Sequence, residues 1–307
     1  MRTALLALVV LASCVSACFA QPVIVCTTTI VGDVVSRIGG SSVEVQTLLP
    51  VGADPHTFEP TPQDLVTLAD ASLIFSNGAD LEESLETFLN SAAAPVVALS
   101  DTLELLPIEH RTEDGHGEDH EEEDYHEHGQ FDPHVWLDPA YVSSWSEIIE
   151  RELILIAPDD AADIRARAAA YRDELRALDQ WIRETVSVLP ADRRRLVTDH
   201  SVFAYFAARY GFTQVGTILP GGTTASEPSA RELAEVIDSI RALNVRVIFT
   251  GEVVASSLAQ QVAQDTGTTL VYVFTGTLSD SDGPAASYIE FMRFNVQTIV
   301  DALADVP

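Results

Sequence analysis

Pro22-Val-Ile-Val-Cys-Thr-Thr-Thr29 is a β-branched run opened by proline, the composition of a strand buried in a parallel sheet. A helical segment follows over 31–38 and stops at Gly39-Gly40, and 43–49 is again rich in β-branched and apolar residues. Strand, helix, strand in that order is a βαβ unit, which predicts parallel pairing. The alternation continues outward: strands over 72–76 and 95–99, with a helix over 81–89 between them. Helix over 140–156 comes next. Pro158-Asp-Asp160 restarts the chain into a long amphipathic helix over 161–188, with Ile164, Tyr171, Leu175, Leu178 and Ile182 along one face. Pro190 closes it and the alternation resumes, with strands over 195–198, 213–218, 245–250 and 269–274. Helices over 201–210, from the Ser229–Glu232 capping box to 243, over 255–266 and over 285–303 separate or follow them. The fold class is therefore α/β: two (β/α) lobes with parallel sheets, 21–157 and 190–307, joined by one long helix within 158–189.

Composition narrows the function. At 307 residues the chain exceeds the usual size of a single core, and 47% hydrophobic residues can fill two. A net charge of -30 repels phosphate, so no nucleic acid partner is expected, and a cation fits better. All 17 basic residues are arginine, which excludes Schiff-base and P-loop lysine chemistry. Residues 1–20 read as a signal peptide: Arg2, an apolar run over 4–11, then small residues to Ala20. That run is too short to span a bilayer. The expected location is the periplasm or the outer face of the cell envelope, with Cys14 and Cys18 each in a sequence resembling a lipoprotein processing box. Cys26 is the only cysteine after them and reads as a small buried strand residue.

The eight histidines are distributed unevenly. Five of them, His110, His116, His120, His126 and His128, lie in the tract 109–129 among ten acids. Such a tract cannot pack a core and reads as a loop, either a solvated charge run or a weak metal-binding segment. The other three stand alone in loop settings: His56 in Gly52-Ala-Asp-Pro-His56-Thr-Phe-Glu-Pro60, His134 in Asp132-Pro-His134-Val-Trp-Leu-Asp-Pro139, and His200 in Thr198-Asp-His200-Ser-Val-Phe-Ala-Tyr-Phe206. Proline stiffens the backbone around His134. His56 lies between a strand's carboxyl end and a helix opened by Thr61-Pro62, where ligands of open α/β sheets collect. Any one of them could merely cap a turn. Together they predict one divalent metal held across the cleft, with imidazole nitrogens about 2.0–2.1 Å from the ion.

These three motifs, with Arg209-Tyr-Gly-Phe212 and Glu227-Pro-Ser-Ala-Arg-Glu-Leu233, resemble the zinc and manganese solute-binding proteins of bacterial ABC transporters, cluster A-I, over nearly the whole chain after 20. The resemblance implies a rigid linking helix, a metal in the interlobe cleft with His56, His134 and His200 as ligands, and delivery to a membrane permease. The family's fourth ligand is usually an aspartate, counted back from a tyrosine like Tyr288. That count falls on Gly276, in Thr275-Gly-Thr-Leu278, so Asp280 and Asp282 are the nearest substitutes, Asp280 the favoured one, with a water as its rival. Manganese-selective relatives tend to carry a carboxylate as third ligand, whereas three imidazoles favour Zn2+ over Mn2+. The resemblance also makes the 109–129 histidines secondary zinc sites, and a monomer is expected. Proton competition is expected to weaken binding below about pH 6. The rivals are a manganese carrier, a surface adhesin and a secreted zinc hydrolase. The last lacks His-Glu-x-x-His, Gly-x-Ser-x-Gly and an obvious carboxylate base, so no enzyme is expected.

Overall fold

The computed structural model describes residues 21–108, 131–219, 224, 228–251 and 256–304. In the first lobe β1 (Val23–Cys26), α1 (Thr29–Gly39), β2 (Glu44–Thr47), α2 (Pro62–Ala69), β3 (Leu73–Ser76), α3 (Glu86–Asn90) and β4 (Val96–Ala98) follow one another. Two helices come next, α4 (Pro139–Ile156) and the 26-residue α5 (Ala161–Val186), about 39 Å long. The second lobe holds β5 (Arg195–Thr198), α6 (Ala204–Tyr210), β6 (Thr213–Thr217), α7 (Ala230–Ala242), β7 (Val247–Thr250), α8 (Ser256–Thr266), β8 (Thr269–Tyr272) and α9 (Tyr288–Ala304). The described strands form two four-stranded sheets, β2-β1-β3-β4 and β6-β5-β7-β8, with parallel pairing throughout. Strand order reverses beside β1 in one and beside β5 in the other, so each sheet has the switch point at which α/β proteins gather ligands.

Local chemistry sets the boundaries. The first strand ends at Cys26, and Thr28 is already an N-cap whose hydroxyl accepts from Val31 N at 3.2 Å, so α1 begins two residues before its apolar periodicity. Thr61 with Asp64 and Ser229 with Glu232 are both complete capping boxes. The helix expected over 81–89 is instead a 3-10 turn over 83–85 followed by the short α3, preceded by Ala79 and Asp80 at φ 54° and 60°. The last helix starts at Tyr288 rather than 285, where Ser287 and Glu290 bond reciprocally, its hydroxyl donating to Glu290 Oε2 at 2.9 Å.

One apolar core passes through both lobes. It joins Ile24 and Phe75 of the first sheet, Trp136 and Trp145, Leu175, Leu178 and Ile182 of α5, Phe249 of the second sheet, and Tyr288 and Phe291 of α9. The face of α5 expected to be apolar, Ile164, Tyr171, Leu175, Leu178 and Ile182, is buried along its length. Each such aliphatic side chain contributes about 1.5–3 kcal/mol when fully buried. Cys26 is buried in β1 as a free thiol, and burial raises its pKa. Among the described residues no helix is long and apolar enough to cross a membrane. Cys14, Cys18 and the histidines of 109–129 lie outside the described residues.

Candidate metal centre

The three isolated histidines meet. One nitrogen from each of His56, His134 and His200 falls within 4.8 Å of the others, and His56 Nε2 is 3.1 Å from His134 Nε2. Ring centroids are 5.2 Å (His56 to His134), 5.8 Å (His56 to His200) and 5.1 Å (His134 to His200) apart. Nitrogens about 2.05 Å from a tetrahedral ion lie roughly 3.3 Å from each other, so the spacing is already close to that of a ligand set. The rings line a cavity of about 10 Å3 together with Asp54, Trp136 and Gly276, a volume that suits a single ion or water.

Each histidine follows an aspartate by one or two residues, and that aspartate positions it. Asp132 Oδ1 accepts from His134 N at 2.9 Å and pairs with His134 Nδ1 at 2.7 Å. Asp199 Oδ1 does the same for His200, at 2.7 and 2.8 Å, while its Oδ2 accepts from Gly251 N at 2.6 Å. Because an ionised carboxylate only accepts, Nδ1 of both rings carries the proton and Nε2 keeps its lone pair for the centre. At His56 the aspartate acts on the backbone: Asp54 Oδ1 accepts from His56 N at 3.0 Å, and Oδ2 accepts from the hydroxyls of Thr57 and Thr224. Asp132 and Asp199 were not singled out from sequence. The signal that finds them is the recurrence itself, Asp-Pro-His twice and Asp-His once.

His134 and His200 are 1% and 3% exposed, while His56 is half-buried. Burial, joined by the neighbouring imidazoles, pushes His56 down to about 2. Burial also lowers His134, against the pull of Asp132. Burial lowers His200 too, but Asp199, joined by Asp54 and Asp132, outweighs it and holds the ring above the ordinary value. Proton competition, expected to weaken binding below about pH 6, would therefore act chiefly through His200. Burial, more than repulsion between the rings, disfavours the charged form of the other two.

Asp280 is not brought to the rings. It is exposed, in a turn where Ser279 N donates to Ala285 O and Gly283 N to Asp280 O, and it is absent from the ligand cluster. The position lining the cavity is Gly276, where an added Cβ would stand 3.2 Å from Pro55 Cδ.

Comparison with known proteins gives a consistent picture. Residues 24–302 match the family described as Zinc-uptake complex component A periplasmic. The manganese-binding lipoprotein MntA of Halalkalibacterium halodurans is 31% identical over 283 residues, 92% of this chain and 88% of its own. The iron-binding protein YfeA of Yersinia pestis is 31% identical over 278 residues, 90% of this chain and 84% of its own. The structure of the periplasmic zinc binding protein TroA from Treponema pallidum superposes with a TM-score of 0.81 at 28% identity, covering 92% of this chain and 99% of that one. Those three names carry three different metals: manganese, iron and zinc.

Proposed function

The chain belongs to the Zinc-uptake complex component A family of metal-binding components of ABC transporters, and on that premise we propose that it captures Zn2+ outside the cytoplasm and hands it to a membrane permease. His56, His134 and His200 are the proposed ligands, with an exogenous water in the fourth position. The observation that carries this reading is the convergence of three imidazole nitrogens, two of them turned toward the centre by buried carboxylates. Three neutral nitrogen donors suit zinc, whereas manganese prefers oxygen donors. The two carboxylates behind the rings balance the charge of a divalent ion, so a buried site is reached without a net charge in low dielectric. Domain boundaries at 157–158 and 189–190 follow the sequence reading, and the 109–129 histidines are proposed as weak secondary sites that gather zinc.

The runner-up is manganese carriage, favoured by the name of the relative MntA. Metal analysis of protein purified without chelators, followed by competition between Zn2+ and Mn2+, separates the two. Zinc retained against excess manganese supports the proposal, and stoichiometric manganese overturns it. Turnover of an ester or peptide panel by the zinc-loaded protein would move the reading to a hydrolase with a metal-bound water.

A further inference from the structure

Away from the rings the chain holds three consecutive residues at positive φ: Gly78 at 80°, Ala79 at 54° and Asp80 at 60°. Glycine takes that region freely. Alanine and aspartate do so under strain, which persists only where the surroundings over-determine the backbone, and such places are often functional. Here the surroundings are the carboxylate of Glu82, 6% exposed. Its Oε1 accepts from Thr27 Oγ1 at 2.6 Å and Asn77 N at 2.7 Å, and its Oε2 accepts from Gly78 N at 3.1 Å. Asp101 Oδ1 adds a bond from Ala79 N at 3.3 Å.

What this turn aims is the side chain of Asn77, 1% exposed. Its Nδ2 donates to the carbonyl of Gly78 at 2.8 Å and to the carbonyl of Pro133 at 3.1 Å. Its Oδ1 is buried with no hydrogen-bond partner among the described residues. Turned over, the amide would set that oxygen against two carbonyls, so the donor bonds fix its orientation. A buried amide that leaves its acceptor unused calls for an explanation, and the two bonds from its donor supply one. Pro133 immediately precedes His134, and the carbonyl before it, that of Asp132, accepts from Tyr205 Oη of the second lobe at 2.8 Å. Two successive carbonyls are thus gripped, one from each lobe.

We infer that Asn77, aimed by Glu82, is a positioning residue for metal capture, whose bond to the Pro133 carbonyl fixes the peptide carrying His134 so that its Nε2 meets the other two rings at one point. Asp132 sets the tilt of the His134 ring but rides on the same segment, so it cannot supply the anchor that Asn77 supplies. This inference rests on the proposed ligand role of His134.

The test uses the full chain with Asn77→Ala and with Asn77→Leu, which keeps the volume and removes the donor. Zinc affinity is measured against a chromophoric chelator, the visible bands of the Co2+-loaded protein report ligand geometry, and metal-free melting is followed in parallel. Both variants are expected to lose about 10- to 100-fold in zinc affinity and to change the Co2+ bands. Glu82→Gln, which turns one acceptor oxygen into a donor, should give the same spectral change. Where Asn77→Ala fails to fold, Asn77→Leu and Glu82→Gln carry the readout. Unchanged bands and affinity would overturn the inference whatever the melting temperature does, since a merely structural role moves only the latter. Failure of the ligand assignment looks different: the unsubstituted protein would give no Co2+ bands, or His134→Ala would leave them as they are.

Discussion

At the scale of single residues, the centre depends on partners one bond behind the rings. Asp199 and Asp132 each accept from a histidine's backbone N and from its Nδ1. Replacing either by asparagine keeps an acceptor but removes the charge that balances the ion. We expect Asp199→Asn and Asp132→Asn each to lower zinc affinity by about 10- to 100-fold with little loss of fold, read by chelator competition. Unchanged affinity would make these carboxylates incidental. Gly276 tests selectivity from the other side of the cavity. Gly276→Asp brings an oxygen donor to the rim, and its Cβ, 3.2 Å from Pro55 Cδ, asks the Pro55 ring to give by a few tenths of an ångström. The expected result is a lower preference for zinc over manganese, with Gly276→Ala as the steric control that keeps the preference. An equal effect of both substitutions would trace it to crowding at Pro55 rather than to the carboxylate.

At the scale of elements, packing carries the argument. The face of α5 buries Leu175 at 1% exposure and Leu178 at 0% between the lobes. Leu178→Ala should therefore cost about 2–5 kcal/mol and lower the thermal midpoint, while exposed positions of the helix tolerate change. Deletion of 109–129 should remove only weak sites and leave one tight zinc per chain by titration; loss of the tight site would refute the proposed ligands. The same elements show what was legible in the sequence. Strand and helix alternation was plain because parallel strands buried on both faces read as β-branched runs, and the three histidines stood out because each sits alone in a proline- or aspartate-marked loop. Thr28 was hidden inside a threonine run that looked like strand, and only its hydroxyl bond to Val31 N shows it to be a cap. Asn77-Gly78 marks a turn in the sequence, but nothing there shows that Ala79 and Asp80 continue it at positive φ. Asp280 was chosen by proximity in sequence, and in the turn closed by Ser279 N and Ala285 O it is exposed.

At the scale of the whole molecule, the two lobes are tied rather than hinged. Trp136 Nε1 donates to Thr275 O at 3.0 Å, Tyr288 Oη to Trp136 O at 2.7 Å, Leu278 N to Thr29 Oγ1 at 2.9 Å and Tyr288 N to Asp33 Oδ2 at 2.9 Å. Arg209 of α6 reaches Asp138 at the cap of α4 at 3.0 Å and Asp179 of α5 at 2.8 Å, and Asp179 also accepts from Arg183 and from Tyr210 Oη. Burial alone would raise the pKa of Asp179, but the bonds from Arg209, Arg183 and Tyr210 outweigh it and hold it below 3.8. A carboxylate depressed in the folded state contributes stability that is present above the unfolded value and lost as pH falls through the folded one. Asp179→Asn should thus cost about 1–2 kcal/mol at neutral pH, discounted for partial exposure, and the difference from the unsubstituted protein should shrink below about pH 4. With a continuous core and these ties, zinc loading should act locally. Zinc at 1,000 times its dissociation constant stabilises by about 4 kcal/mol through mass action alone, so the thermal midpoint should rise on loading and fall again on chelation. Small-angle scattering should meanwhile show no change in radius of gyration, and the gain in amide protection should be confined to the loops around His56, His134, His200 and Gly276. A contraction on zinc binding large enough to register in scattering would mean that the seam opens, and that release to a permease proceeds by rotation of the lobes.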